Sequence, residues 1–82
     1  MFYVYVLQSQ TTRRFYTGST ADLERRLAQH NSALARATTN QGPWAIVHSE
    51  AFDTRKEAMA RERYFKTGHG RAELQKVLQT PP

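Results

Sequence analysis

An apolar run near the start of the chain does most to limit what the chain can fold into. Residues 2–7 read Phe-Tyr-Val-Tyr-Val-Leu, so aromatic, β-branched and other apolar side chains occupy both odd and even positions. Because the side chains of a strand alternate between its faces, such a run is typical of a central strand covered on both sides. A chain of 82 residues has room for one domain, so we expect residues 1–82 to form a single layered unit.

A β-hairpin and a helix are predicted next. A polar loop follows the first run, and a returning strand over residues 15–17 is expected to end at Gly18. Ser19 or Thr20 is suited to cap a helix that runs to about Asn31. The hairpin places the two strands antiparallel to each other.

The second half of the chain predicts one more strand and two more helices. These are a strand over residues 44–52, a helix over 55–67 and a helix over 71–78. Asp53 or Thr54 can cap the first of these helices, and Gly68 and Gly70 are expected to break it. The predicted fold is therefore an α/β (α+β) sandwich, a three-stranded and mainly antiparallel sheet flanked by three helices in the order β-β-α-β-α-α.

Composition narrows the function classes. The chain has no cysteine, which excludes a disulfide framework, a thiolate zinc site and a cysteine nucleophile. Its net charge is +5, and nine of the 12 basic residues are arginine, whose planar guanidinium suits phosphate oxygens. No apolar stretch is long enough to cross a bilayer, and no basic segment precedes the first strand. We therefore expect a cytoplasmic protein without a membrane span and with a polyanionic partner.

Helix geometry separates two adjacent arginines on the first predicted helix. At about 100° per residue, Leu23 and Leu27 define its inward face. His30 lies beside that face and Arg26 lies at its border, whereas Arg25 points to solvent. Arg26 and His30 are therefore candidate functional residues. The alternative is structural: Arg26 can pair with the acid four residues earlier, and an inward histidine is often a satisfied core residue.

Glu62 is the least expected residue of the predicted second helix. It lies near the middle of that helix's apolar stripe. The stripe is formed by Ala58, Met59 and Phe65. Removing an ionised carboxylate from water costs several kcal/mol unless a cation compensates it. A structural ion pair with Arg55 or Lys66 would do so, and so would a divalent metal ion.

Two tyrosines lie on neighbouring strands of the predicted hairpin. Tyr5 and Tyr16 are compatible with ordinary cross-strand packing. A phenol has a pKa of about 10 and acts as a base near neutral pH only when cations stabilise the phenolate. Arg26, His30 and a metal ion on Glu62 are the groups expected to stabilise the phenolate.

Four segments together resemble the GIY-YIG nuclease family, and in particular its small stand-alone bacterial members. Tyr3-Val4-Tyr5 corresponds to the first half-motif and Tyr16-Thr17-Gly18 to the second. Residues 18–31 resemble the family's helix with a functional arginine and histidine, and residues 58–66 resemble the segment whose glutamate holds the metal. Four pieces in the correct order with compatible spacing are far more specific than any one of them.

The chain departs from the family pattern at a few positions. Tyr3 replaces the opening glycine of the first half-motif. Val4 replaces the isoleucine of the first half-motif, and Thr17 replaces the isoleucine of the second. These positions build strands rather than supply chemistry. In small members an aromatic residue and an arginine flank a loop threonine, whereas residues 37–39 here are Ala-Thr-Thr.

The resemblance implies divalent-metal-dependent cleavage of a nucleic-acid phosphodiester. By that analogy Tyr5 activates the attacking water as general base with help from His30, and Tyr16 positions the water or phosphate. The two phenols could exchange these roles. Arg26 offsets the charge that develops on the phosphate oxygens, and Glu62 holds one Mg²⁺ or Mn²⁺ ion.

The resemblance also gives expectations about partners. DNA is favoured over RNA, in a repair or recombination setting. Arg25, Arg26 and Lys66 are predicted to contact the nucleic acid, and Gly18 is predicted to serve structure by letting the chain turn into the helix. Two other classes remain open, namely a non-catalytic nucleic-acid-binding module and a partner-docking domain that retains the fold. We rank the nuclease first because a pure binder would not need an inward Glu62.

Overall fold

The structure, a computed structural model, describes residues 1–32 and 42–79. Its elements are β1 (Phe2–Ser9), β2 (Phe15–Thr20), α1 (Leu23–His30), β3 (Trp44–Phe52), α2 (Arg55–Phe65) and α3 (Gly68–Gln79). The three strands form one antiparallel sheet in the order β2-β1-β3. The predicted fold class and element order are confirmed. No helix within the described ranges has the length and apolar character needed to span a membrane.

The central strand β1 is covered on both faces, as its apolar run predicts. Val4 and Val6 are fully buried on one face, against α2 and α3. Tyr5 and Leu7 are buried on the other face, in a cluster with Trp44 and side chains of α1. Two apolar clusters, one on each side of the sheet, therefore fix the helices that carry the candidate residues.

The edge strand β2 is longer than predicted. The expectation that it ends at Gly18 is wrong, because pairing with β1 continues through Gly18, opposite Tyr5, to Thr20, opposite Tyr3. No described glycine has a positive φ, so Gly18 does not make a turn. The turn into α1 comes later, at Ala21.

The helix caps differ from the prediction at the first helix and agree at the second. Neither Ser19 nor Thr20 caps α1; the side chain of Asp22 does so by accepting a hydrogen bond from the Arg25 backbone N–H at 3.1 Å. Extension of β2 moves the helix start by two to three residues, and the next side chain with a suitable acceptor takes the role. Thr54, one of the two predicted candidates, caps α2.

Gly68 and Gly70 do not form the break between α2 and the last helix that the sequence predicted, but belong to α3. Helix α3 starts at Gly68 and includes Gly70, because the Thr67 hydroxyl accepts a hydrogen bond from the Gly70 backbone N–H at 3.1 Å and caps the new helix. A Cβ atom at Gly70 would overlap the backbone carbonyl of Tyr64 at the end of α2. Gly70 therefore permits close approach of two helices rather than flexibility.

This contact predicts different outcomes for two neighbouring glycines. Gly70→Ala should lower the free energy of unfolding by about 1–3 kcal/mol, because the new methyl group overlaps a backbone atom. Gly68→Ala is the matched control, since a Cβ there meets nothing within 4 Å and alanine favours a helix by up to about 1 kcal/mol. Urea unfolding measures both variants. Equal stabilities would contradict the close approach of α2 and α3.

Candidate active site

The Tyr5 phenol lies across the edge strand at Gly18. The two residues are direct cross-strand partners, and a Cβ atom built on Gly18 would lie 2.5 Å from the Tyr5 hydroxyl oxygen and 2.7 Å from Cζ. A side chain at position 18 would therefore occupy the place of the phenol. The predicted role of Gly18 in turning the chain into the helix is wrong: its lack of a side chain lets Tyr5 extend over β2 toward the open edge of the sheet.

Three rings meet on the α1 side of the sheet. The Tyr5 hydroxyl oxygen lies 3.0 Å from Nε2 of His30, the last residue of α1, which is only 4% exposed. The ring centroid of Tyr16 lies 4.7 Å from that of His30 and 6.5 Å from that of Tyr5. Tyr16 pairs with Leu7, two positions along the strand from the Tyr5–Gly18 pair. The structure thus brings the two predicted tyrosines and the predicted histidine together.

The position of His30 is fixed by the residue that follows it. The Asn31 side chain accepts a hydrogen bond from the Trp44 backbone N–H at 2.6 Å and donates one to the Trp44 carbonyl at 3.1 Å. These two bonds join the end of α1 to the start of β3. Sequence reasoning missed Asn31, because its partner is 13 positions away.

The electrostatics of the ring cluster differ from the expectation of a stabilised phenolate. Burial raises the pKa of Tyr5 far above 10.0, and Tyr16 and the Glu62 charge raise it further, while Arg26 opposes them. Burial lowers the pKa of His30 below 6.5, and the Arg26 charge adds to that decrease. His30 is therefore a neutral imidazole near neutral pH rather than a cation. With its proton on Nδ1, it accepts a hydrogen bond from the Tyr5 hydroxyl.

The positive charge of Arg26 acts on this cluster, although the residue is exposed. Its charge influences the pKa of both Tyr5 and His30. No ion pair joins Arg26 to Asp22 within the described part of the chain, and Asp22 instead caps the helix. The alternative in which Arg26 serves as the ion-pair partner of Asp22 is therefore not found among the described residues. Arg25 is also exposed, as predicted.

Glu62 reaches the edge of β2 from the opposite side of the sheet. Its two carboxylate oxygens accept hydrogen bonds from the Ser19 hydroxyl and the Lys66 ammonium, both at 2.8 Å. Burial would raise the pKa of Glu62, but the bonds from Lys66 and Ser19 outweigh it and hold the pKa below 4.5. Glu62 is ionised near neutral pH, and its charge is felt by Tyr5.

The surroundings of Glu62 correct part of the sequence interpretation. Ala58 and Phe65 are buried as predicted, but Met59 is 43% exposed, so the apolar stripe is narrower than expected. The Glu62 side chain itself keeps 23% exposure. Lys66 is its ion-pair partner, which is one of the two predicted structural partners. Sequence reasoning missed Ser19, although strand alternation places it on the face opposite Gly18.

A divalent ion is chemically compatible with this carboxylate. No three His, Cys, Asp or Glu side chains group together within residues 1–32 and 42–79, so the described residues offer no all-protein metal cage. Mg²⁺ is commonly held by one or two carboxylates together with water and substrate phosphates. The ionised Glu62 fits that pattern, and a cation there would compete with the Lys66 ammonium.

Comparison with known protein families matches residues 1–76 to the GIY-YIG catalytic domain. The chain belongs to the GIY-YIG family. The predicted departure at residues 37–39 lies outside the residues that the structure describes.

Individual relatives agree with this assignment. The chain is 41% identical over 66 residues to a UPF0213 protein of Haloquadratum walsbyi, covering 79% of this chain and 73% of that one. It is 40% identical over 67 residues to a UPF0213 protein of Clostridium perfringens, covering 80% and 71% of the two chains. The solution NMR structure of a UPF0213 protein from Bacillus halodurans has a TM-score of 0.57 and 33% identity, and the match covers 99% of this chain and 89% of that one.

The lowered pKa of His30 predicts a pH dependence of stability. The folded state disfavours the protonated imidazole, so the unfolded chain binds more protons just below pH 6.5. The free energy of unfolding should therefore fall as pH falls from 6.5 through the folded-state pKa of His30. His30→Gln keeps a hydrogen-bond acceptor for Tyr5 but removes this part of the slope. Urea unfolding across that pH range measures it.

The exposed His69 provides the matched control. His69→Gln should keep the slope of the parent protein, because its side chain lies in solvent. If His30→Gln and the parent protein show the same slope, the imidazole is not held in its neutral form by the fold.

Proposed function

We propose that the protein is a divalent-metal-dependent endonuclease that hydrolyses phosphodiester bonds in nucleic acid. The observation that carries this proposal is the contact between the Tyr5 hydroxyl and Nε2 of the neutral His30, at the strand edge where the Glu62 charge also acts. A proton donor, a proton acceptor and an ionised carboxylate thus share one edge of the sheet. The family assignment supports the same class of chemistry.

The raised pKa of Tyr5 favours a proton relay over a resident phenolate. The water oxygen attacks phosphorus and forms the new P–O bond as the bond to the leaving oxygen breaks. The leaving oxygen departs with the electron pair of that bond as an alkoxide, which takes a proton from solvent. The water proton passes to the Tyr5 oxygen while the phenol proton passes to Nε2 of His30. His30 is suited to receive it because its imidazole is neutral before the reaction.

Tyr16 and Arg26 are the groups that we assign to the phosphate. The half-buried Tyr16 ring lies against His30, so its hydroxyl is available to position the water or a phosphate oxygen. Arg26 is exposed beside the ring cluster, and its guanidinium can donate to oxygens on which negative charge develops. Exchange of the two phenol roles stays open, although the hydrogen bond to His30 favours Tyr5 as the relay.

Glu62 is the residue that would hold Mg²⁺ or Mn²⁺ in this proposal. When bound, the ion supplies charge stabilisation for the leaving oxygen. Lys66 donates one hydrogen bond to the same carboxylate at 2.8 Å, and an ammonium has three donors, so its predicted contact with nucleic acid is compatible with this bond. Release of Lys66 by a competing cation would free that ammonium for a phosphate.

The proposed substrate is DNA in a repair or recombination setting within the cytoplasm. The net charge of +5 and the arginine-rich surface support a nucleic-acid partner in general. The preference for DNA and the pathway rest on the resemblance to the family's small members.

A non-catalytic nucleic-acid-binding module is the second candidate. The observation in its favour is that Ser19 and Lys66 already satisfy both oxygens of Glu62. The ion pair accounts for the carboxylate without any metal, as a structural role would require. Cleavage measurements separate the two candidates.

Two substitutions of the same ion pair test the proposal. Glu62→Ala should abolish Mg²⁺-dependent cleavage of labelled DNA, while the far-UV circular dichroism stays that of the folded protein, since such partly exposed pairs contribute about 0–1 kcal/mol. Lys66→Met breaks the same pair but keeps the carboxylate. At saturating DNA it should retain cleavage and need less Mg²⁺ for half-maximal rate.

The pattern of the two variants decides between the candidates. If Glu62→Ala and Lys66→Met lose cleavage to the same extent and lose stability to the same extent, Glu62 is a structural partner of Lys66. The substrate panel contains branched, single-stranded and duplex DNA with Mg²⁺ or Mn²⁺, and the absence of cleavage of every member by the parent protein would favour the binding module.

A further inference from the structure

Three arginines lie together beside Ser19, whose hydroxyl contacts Glu62. They surround a surface depression of about 300 Å³. Arg25 and Arg26 come from α1 and Arg55 comes from the first turn of α2. The polar residues Ser19, Thr20, Asp22 and Gln29 complete the lining. The sequence gives no sign of this grouping, because Arg55 is 29 positions from Arg26.

Within residues 1–32 and 42–79, none of the three guanidiniums forms an ion pair with a carboxylate. All seven Asp and Glu residues lie within residues 1–32 and 42–79, and the ion pairs in those ranges join other residues. Asp22 lies in the depression, but one of its oxygens caps α1. Three positive charges against one negative charge leave the depression cationic. A bound anion would relieve the repulsion among the arginines.

Arg55 is exposed, and its guanidinium contacts an aromatic ring. Its guanidinium carbon lies 5.1 Å from the centroid of the Phe2 ring, within the range of a cation–π contact. It was a predicted partner for Glu62, yet Glu62 pairs with Lys66 instead. The guanidinium therefore contacts an aromatic ring, and its hydrogen-bond donors have no acidic partner among the described residues. Such a planar fork matches the geometry of a phosphate group.

We infer that this depression binds a backbone phosphate next to the scissile one, on the strand that the enzyme cleaves. The inference rests on the proposed function, and it adds Arg55 as a phosphate-binding residue remote from the reacting atoms. Ser19 connects the two places, because its hydroxyl donates a hydrogen bond to Glu62 and the same residue lines the depression. The site selects for phosphodiester charge and not for base identity, so one contact fixes the register of the strand.

The first test measures how many phosphate contacts Arg55 makes. Binding of a short fluorescent single-stranded oligodeoxynucleotide is followed in EDTA, so that no metal-dependent cleavage occurs, over a series of salt concentrations. Arg55→Gln should weaken binding and lower the slope of log K against log salt by about 0.7, the value for one phosphate contact on a single strand. The same sequence as RNA and as duplex DNA identifies which backbone the site accepts.

Arg14→Gln is the matched control for loss of one arginine. Arg14 is exposed in the loop that precedes β2, at the end of that strand opposite the depression. Its substitution removes the same charge and should leave the salt slope unchanged. A slope that falls equally in both variants would assign the effect to general charge and overturn the inference.

A second measurement locates the phosphate. A series of oligonucleotides is prepared in which one linkage at a time is an uncharged methylphosphonate. The parent protein should lose about tenfold in affinity at the contacted linkage, and Arg55→Gln should lose little there. That linkage should neighbour the bond that the parent protein cleaves with Mg²⁺.

The outcomes separate this inference from the proposed function. Binding that depends on Arg55 at one linkage, without cleavage under any condition, would keep the phosphate site and reject the nuclease. In the opposite outcome the parent protein cleaves, while Arg55→Gln loses as much affinity as the parent protein at every methylphosphonate linkage. That result would keep the nuclease and reject the phosphate site. Failure of the parent protein to bind any of the three nucleic acids would overturn the phosphate site.

Discussion

The close approach of Tyr5 to Gly18 is the contact on which the candidate site depends. β2 is an edge strand, and Gly18, the residue of β2 that pairs with Tyr5, carries no side chain. The phenol can therefore lie across the strand. The hydroxyl then contacts His30, which lies on the same face at the end of α1. The charge of Glu62, from α2 on the other face, raises the pKa of the same phenol. A contact from one face of the sheet and a charge from the other thus act on the same phenol.

The charge distribution around this contact suggests how binding and chemistry are linked. Before substrate arrives, Tyr5 and His30 form a neutral pair between the cationic Arg26 and the anionic Glu62. Glu62 raises the pKa of Tyr5, and a cation that neutralised this carboxylate would remove that effect. In the proposed enzyme, ion and phosphate binding therefore change the acidity of the phenol.

Much of the architecture could be predicted from local patterns. The apolar run of β1 indicates its central place, the hairpin sets the antiparallel pairing, and helical spacing places His30 inward and Arg25 in solvent. These features depend on residues within one or two turns of each other. Local periodicity is enough to reveal them.

The remaining features arise from contacts between distant segments, which periodicity does not encode. Gly18 and Gly70 suggested breaks, yet each instead allows another segment to approach closely, Tyr5 in one case and the end of α2 in the other. Which of Ser19, Thr20 and Asp22 caps α1 depends on how far β2 pairs with β1. The partner of Glu62 and the grouping of Arg55 with the α1 arginines depend on how α2 packs on the sheet.

Removal of one oxygen atom from Tyr5 tests whether cleavage depends on the contact between its hydroxyl and His30. Tyr5→Phe keeps the ring that lies over Gly18 and deletes the hydroxyl that contacts His30. The measurement is the Mg²⁺-dependent cleavage rate of a labelled DNA substrate by the parent protein and by this variant, with oligonucleotide binding and circular dichroism measured alongside. We expect cleavage by the parent protein and loss of cleavage in the variant, with folding and binding retained. A variant that cleaves as fast as the parent protein would contradict it.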